Sequence, residues 1–507
     1  MKNITYYLLT LAALLQCGHG QSAKKSASVE YSYINQEEII KQALAQNLDL
    51  KLEKITSEIA EKKVELEEGK FGAVLSASYK YEKIDRPQNN REFVSTGGGL
   101  DVRTSPRIFS EENQHADLKI TKKLKTGQTL QVGTEMSILK NSLNNLVSPR
   151  GSSIYHPEYE TFTGLTFIQP LVQGIGLEAN RHLIEAQLSQ KDAAQILYKV
   201  KSLATAAETL RRYNALYFSN QRYSAKQRAL NEVKEQHNVY KSLYERRKIT
   251  ATDMLESETF LFKVEEDLMR EKNFLKEKEL LLHDIAGSST SHVRLIPTTP
   301  VYSDSTNILS KEQYIKSAEK NRLDTLYFQK LLESAEHSAR DAKEKTKPVA
   351  NLVLQGGYNG LAGDYGDSMR EAFSNQGAEI SVGLEIQASL TKSTEETEYE
   401  IAQKVVSANK EKVLRSQSQS RIEVVTYLSK LNELISEKKL FVKRKQVLNE
   451  MLQAQEEMMK RGEGNTVDMI KFEKQKINLL TQELMLEEEL ANAFINLQLA
   501  SGSLKLQ

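Results

Sequence analysis

Tryptophan is absent from these 507 residues, cysteine occurs once, and there are only eight prolines. A single cysteine, Cys17, excludes a disulfide framework. Net charge is missing too: 69 basic residues against 68 acidic leave +1, without the basic excess of a nucleic-acid binder. Past residue 20 no apolar run is long enough to cross a bilayer as a helix, so any membrane insertion must use strands. Enzyme signatures are lacking as well. The eight histidines show no HxxxH spacing, and no GxxxxGK[ST] phosphate loop occurs. Glu487-Glu488-Glu489 lies in a charged helical stretch and reads as a solvated face. The chain is read as a non-enzyme with no cofactor and no metal centre.

What is present begins with an export signal. Met1-Lys2-Asn3 is a short basic start, Ile4 to Leu15 is an apolar run of 12 residues, and Gly18-His19-Gly20 is a small-x-small cleavage site. The expectation is a signal peptide over 1–20, removed before Gln21. The rival is a lipoprotein whose first residue is Cys17, a reading that Leu14-Leu15-Gln16 fits poorly because the position before the cysteine is normally small.

Gly174-Ile175-Gly176-Leu177-Glu178-Ala179 has the GxGxxA spacing of a dinucleotide-binding turn. Such a unit requires a second strand and an acidic residue about 20 residues on. No strand pattern follows for over 100 residues, so these glycines are read as turning a strand into a helix.

None of the prolines falls in 171–296 or 349–507. A proline inside a helix costs about 3 kcal/mol, so these tracts suit long helices. The chain also repeats itself. Ile40, Lys41, Ala43, Leu48 and Asp49 match Ile315, Lys316, Ala318, Leu323 and Asp324 at an offset of 275, whereas Asp253 matches Asp468 at an offset of 215. The first copy is longer by 60 residues, and the surplus lies around 82–160. That tract reads as a loop insertion with a possible hairpin of its own in "DLKITKKLKTGQTLQVGTEMS", either an external loop or extra strands.

Each copy predicts helix, strand, loop, strand, very long helix, short turn and helix. The domains are a repeat at 36–287, a linker at 288–310 and a second repeat at 311–504. In the strands, Ala73, Leu75, Ala77, Tyr79 and Tyr81 oppose Val74, Ser76, Ser78, Lys80 and Glu82. Ile380, Val382, Leu384, Ile386, Ala388 and Leu390 likewise alternate with polar or small residues. Ten residues with one apolar face suit a barrel strand between lipid and water, and equally a half-buried strand of a soluble sheet. Met254, Leu261, Leu268, Leu275 and Leu282 recur every seven residues, as do Ile470, Ile477, Leu484 and Ala491. A helix from about 176 to 247 is a rod of roughly 100 Å.

The whole arrangement resembles the TolC family of outer-membrane efflux proteins, over about 35 to 505. "EEIIKQALAQNLDLKLEK" resembles the family's opening helix, "LTFIQPLVQGIG" its second strand, "YERRKITATDML" and "MKRGEGNTVDMI" its two hairpin tips, and "LQLASGSL" its closing segment. The resemblance implies a mainly α fold with a membrane β-barrel. In it a homotrimer gives four strands per chain to a 12-stranded barrel on an α-helical periplasmic tunnel. It also implies a passive exit duct of a tripartite efflux pump or type I secretion system. The implied partners are a periplasmic adaptor, an inner-membrane transporter and outer-membrane lipid. At the first tip Arg247 stands where the family usually has glycine, while the second keeps Gly462. Polar and aromatic latch residues are not evident around Met459 and Gly464.

Val382, Leu384 and Ile386 are expected to face lipid. Thr250 with Asp253, and Asn465 with Asp468, are expected to cap the helices after the tips, as [ST]-x-x-[DE]-like start signals. Three copies of Asp468 are also candidates for a cation-selective entrance. The loop "NGLAGDYGDS" at 359–368 reads as mobile, with aspartates able to hold a cation. The alternative function is a periplasmic coiled-coil scaffold or adaptor.

Overall fold

Four helices of 35 to 70 residues are the longest elements of the molecule in the computed structural model. The structure describes residues 30–87, 108–141, 157–287, 293–299, 309–374, 377–461 and 463–504. The signal segment and Cys17 lie outside the described residues, as does Gly462.

A short strand β1 (Glu30–Ile34) leads into α1 (Gln36–Gln46) and α2 (Leu48–Gly69). Asn35 opens α1 with a capping box closed by Glu38. Asn47 breaks α1 from α2: its carboxamide oxygen accepts from the Leu50 N–H and its Nδ2 donates to the Ile285 carbonyl, 3.1 Å away. Four strands follow, β2 (Ala73–Pro87), β3 (Ile108–Lys123), β4 (Thr129–Asn141) and β5 (Glu158–Pro170). Then come the 70-residue α3 (Gly176–Glu245) and α4 (Ala251–Ile285), joined at the first tip.

The second pass runs β6 (Val293–Pro297), α5 (Lys311–Asn321), α6 (Leu323–Lys345) and β7 (Val349–Ala362). It continues with the short α7 (Tyr365–Ala372), β8 (Ala378–Gln387), α8 (Thr394–Arg461) and α9 (Thr466–Ala500). The linker expected at 288–310 therefore contains a strand, and β6 pairs in parallel with β1. Five-residue strands carry too little alternation to be read from sequence.

The first heptad seam buries Leu275 and Leu282 with Ile39, Tyr213 and Leu216 in one core, and the second buries Ile470 and Ala491. The counterpart core is built off that second seam, by Leu490 and Leu497 with Val424, Leu431 and Leu434. Nearer the tips, Ile470 of α9 is 1% exposed among Tyr240, Phe260 and Val264, so the second hairpin packs against the first. Polar groups cross the same interface. Arg222 of α3 bonds Glu271 of α4 at 3.0 Å and Glu488 of α9 at 2.7 Å, and Lys226 adds a second bond to Glu271. Two cations on two anions leave the buried cluster neutral, which is what makes its desolvation tolerable.

The remaining strands form one sheet in the order β2-β3-β4-β5-β7-β8, every neighbour antiparallel. The expected four strands per chain are thus six, and a 12-stranded total from three copies does not follow. Of the two readings of the insertion, external loop or extra strands, the second holds: its hairpin supplies β3 and β4, whose own alternation lets them pair fully into the sheet. Residues 359–368 are not a mobile loop either. Asn359 to Ala362 finish β7, and Asp364 caps α7 by accepting from the Asp367 N–H, so this is ordered strand and helix. No cluster of metal-ligating side chains occurs among the described residues. β8 ends at Gln387, which leaves Ala388 and Leu390 beyond the strand that the alternation assigned them to.

Candidate functional site: sheet faces and hairpin tips

Register fixes which side chains share a face. Leu75, Ile120, Val132, Leu165, Gly356 and Ile380 form one row across all six strands. The next row towards the helices ends in Leu130, Phe167, Leu354 and Val382. Leu384 and Ile386 continue this face opposite Leu352 and Ala350. All three lipid-face candidates are open: Val382 is 69% exposed, Leu384 62% and Ile386 65%. On β4 the apolar stretch runs from Leu130 to Ile138, roughly 27 Å along the strand at 3.4 Å per residue. Tilted by about 40°, that is close to the apolar band of about 25 Å in outer-membrane barrels. α7 covers this face over Thr161 and Gly360, where Ser368 bonds both, and the rest is an apolar surface larger than a soluble monomer usually displays.

The opposite face is polar. One row reads Ser76, Lys119, Gly133, Gly164, Gly357 and Glu379. Lys119 pairs with Glu135, Ser78 donates to Asp117 at 2.7 Å, and Asn359 donates to Glu379 at 2.9 Å. The ring of Phe162 lies over Gly164 and Gly357, where an added Cβ at either position would meet its Cζ at 2.6 Å. Glycines side by side with an aromatic laid across them let a sheet bend towards that face. Sequence reading missed this row, because the three glycines are far apart in the chain and only register aligns them.

The Gly174-Ile-Gly176 turn has a structural partner. Gly174 and Gly176 both take positive φ, 75° and 89°, and the Gly176 N–H donates to the Thr126 carbonyl at 3.0 Å. Thr126 belongs to the β3–β4 turn, so this turn sits at the joint between β5 and α3. The glycines do turn a strand into a helix, and they also receive the inserted hairpin.

At the first tip α3 ends in a Schellman motif. The Lys248 N–H donates to Leu243 and the Arg247 N–H to Tyr244, both at 2.8 Å. This geometry places Arg247 at φ 59°, the left-handed region, and it is the one non-glycine there among the described residues. Thr250 then starts α4. Its Oγ1 accepts from the Asp253 N–H, while Asp253 Oδ2 accepts from the Thr250 N–H at 2.9 Å and hydroxyl at 2.8 Å. The capping box expected there is closed.

The second tip differs. Glu463 donates its N–H to Met458, matching the Lys248 bond. Asn465 caps α9 by accepting from Val467 rather than from Asp468. Asp468 is half-buried and has no hydrogen-bond or ion-pair partner among the described residues. The two aspartates that sequence pairs as equivalents are therefore unlike, and no bond joins them.

Above Asp468, Glu473 of α9 turns towards α3. Its Oε1 accepts from Gln236, while its buried Oε2 has no partner among the described residues. Burial pushes this carboxyl above its usual pKa; Lys476 opposes the shift, and Glu232 and Glu456 add to it. Burial, with Glu473 near, likewise raises the Tyr240 hydroxyl. Nothing in the local sequence marks Glu473, because its burial depends on how the two hairpins meet.

This architecture has close counterparts among solved structures. The outer-membrane channel OprN superposes with a TM-score of 0.66 at 13% identity, over 92% of this chain and 89% of that one. The outer membrane protein VceC of Vibrio cholerae gives 0.65 at 13%, over 92% and 96%. The open state of the MtrE outer membrane channel of Neisseria gonorrhoeae gives 0.62 at 15%, over 92% and 88%. The chain has the fold of these outer-membrane channels. That is the fold to which the resemblance to the TolC family pointed. No family model matches the sequence, and none of the curated proteins does.

Proposed function

We propose that this chain is the subunit of a homotrimeric outer-membrane channel, the exit duct of a tripartite efflux pump or type I secretion system. The six-stranded sheet carries this reading: one face is apolar and largely open, the other is charged, and α2, α3, α6 and α8 all join it at the same end. Lipid satisfies the first face and water the second. The glycine row supports placing the polar face on the inside of the curve. The helices extend into the periplasm, where a periplasmic adaptor and an inner-membrane transporter meet the hairpin tips and supply cargo and energy. The function is transport, without catalysis.

Two internal repeats build this duct. Gly287 and Gly502, both at φ near 65°, pack under Gln46 and Asn321, positions related by the same offsets of 215 and 275 as the sequence repeats. Asn35 and Ser310 are matched capping boxes at the offset of 275. A periplasmic scaffold or adaptor has use for the rods and none for an open apolar face of six strands.

Fractionation of cell envelopes tests the reading. The protein is expected in the outer-membrane fraction, migrating as a trimer unboiled and as a single chain after boiling. Recovery as a soluble periplasmic protein would overturn it.

A further inference from the structure

The unpartnered edges of the sheet carry a consequence for the size of the channel. β2 and β8 each have a neighbour on one side only among the described residues. Every residue of β8 is exposed, and so is all of β2 except Glu82 and Ile84. Rows of free N–H and C=O groups cannot stay bare in hydrocarbon, so within a membrane both edges must find strands. Because six is even and every pairing is antiparallel, β2 and β8 run in opposite directions. The β8 edge of one copy therefore meets the β2 edge of the next in the pairing sense used throughout the sheet. Facing agrees as well. Joining Val382 and Ile380 to the side of Leu75 and Ala77 keeps the apolar face continuous, whereas a one-residue slip would turn Ser381 and Gly383 to lipid.

The inserted hairpin is part of this wall. Its strands hydrogen-bond along their length on both sides, and Leu118, Ile120, Val132 and Met136 lie on the apolar face. Its turn reaches the helix-side rim, where Gly127 at φ 99° fits beneath Gly174. A hairpin projecting as an external loop would do neither.

Resting on the trimeric reading, we infer that three copies of this chain close one 18-stranded barrel, β8 of each paired along β2 of the next. With strands about 4.8 Å apart and tilted about 40°, 18 strands give a backbone diameter of about 36 Å, against about 24 Å for 12. Allowing roughly 5 Å of side chain on each wall leaves a bore of about 25 Å, wider than an α-helix with its side chains at about 10–12 Å. The membrane end then admits polypeptide segments with helical structure, and size selection falls to the hairpin tips.

Electron cryomicroscopy of the mature, full-length protein in lipid nanodiscs, viewed end-on, decides it. The expected image is a threefold ring of 18 strands with a backbone diameter near 36 Å. A threefold ring of 12 strands with β3 and β4 outside the wall would overturn the inference and leave the channel reading standing. Two copies closing 12 strands would overturn both the strand count and the trimer. Particles with no transmembrane ring would overturn the channel reading and this inference together.

Discussion

Gly127 lies so close to Gly174 that a Cβ at position 127 would stand 2.1 Å from the Gly174 carbonyl oxygen. Two glycines 47 positions apart thus lock the inserted hairpin to the joint between β5 and α3. Gly127→Ala meets that backbone atom and an unfavourable φ at once. Strain of this kind costs on the order of 1–3 kcal/mol. The expected outcome is a lower melting temperature of the unboiled oligomer, read on a heated gel series, with Gly72→Ala beside it as a milder control. An unchanged transition for Gly127→Ala would mean the turn is not docked there.

Arg247 holds a backbone conformation that glycine takes freely. A left-handed residue with a side chain costs about 1–2 kcal/mol, part of which glycine returns through its freer unfolded chain. Arg247→Gly is expected to raise thermal stability modestly, as followed by circular dichroism at 222 nm. A fall would show that the guanidinium has a stabilising contact worth more than the strain.

The two tip aspartates separate cleanly. Asp253 accepts two bonds from Thr250, so Asp253→Asn is expected to lower stability by about 0.5–1 kcal/mol with little effect on conduction. Asp468 has no such bonds, so Asp468→Asn is expected to leave stability nearly unchanged. Three such carboxylates near one axis favour cations. Single-channel recording of Asp468→Asn should then show weaker cation selectivity and less block by divalent cations. Unchanged selectivity would place the gate elsewhere.

Glu473 predicts a pH effect with a definite sign. Its folded-state pKa is raised by burial, so the unfolded chain ionises first as pH rises. Its contribution to stability is greatest below the ordinary glutamate range and declines as pH climbs from there to the raised folded value. Lys476, Glu232, Glu456 and Gln236 face the same group, so the readout is a difference between proteins. Glu473→Gln should gain on the wild type in melting temperature as pH rises from the ordinary glutamate range. Parallel pH profiles would contradict the assignment.

On the sheet, Leu384→Arg is expected to cost about 2–4 kcal/mol if the position lies near the membrane midplane, and to deplete trimers from the outer membrane. Gly383→Arg, one residue away on the polar face, should assemble far better. Equal assembly of both would remove the distinction between the faces.

Much of this molecule is legible in its sequence, for reasons that are local. Proline-free, Glu- and Lys-rich tracts show as α3 and α8, and period-two alternation shows as β2 and β8. Thr250 and Asp253 lie three residues apart, so their capping box is visible before any fold is known. What escaped depends on distant neighbours. The alternation of 118–138 is plain, but only pairing to β2 and β5 makes it part of the sheet. Asp468 shares a pattern with Asp253 and differs because Asn465 turns its oxygen to Val467. Glu473 is buried only because α9 meets α3.

The proposed channel requires the sheet to lie in a membrane with its two faces in different solvents. Only Cys17 precedes a cysteine-free sequence, so a thiol-reactive bimane placed at single engineered cysteines along β8 reports one position at a time. In reconstituted liposomes the account predicts an alternation. Fluorophores at 380, 382, 384 and 386 should be quenched by nitroxide-bearing lipid, and those at 379, 381, 383 and 385 by aqueous iodide. Iodide reaching all eight positions equally, with no quenching from lipid, would contradict it.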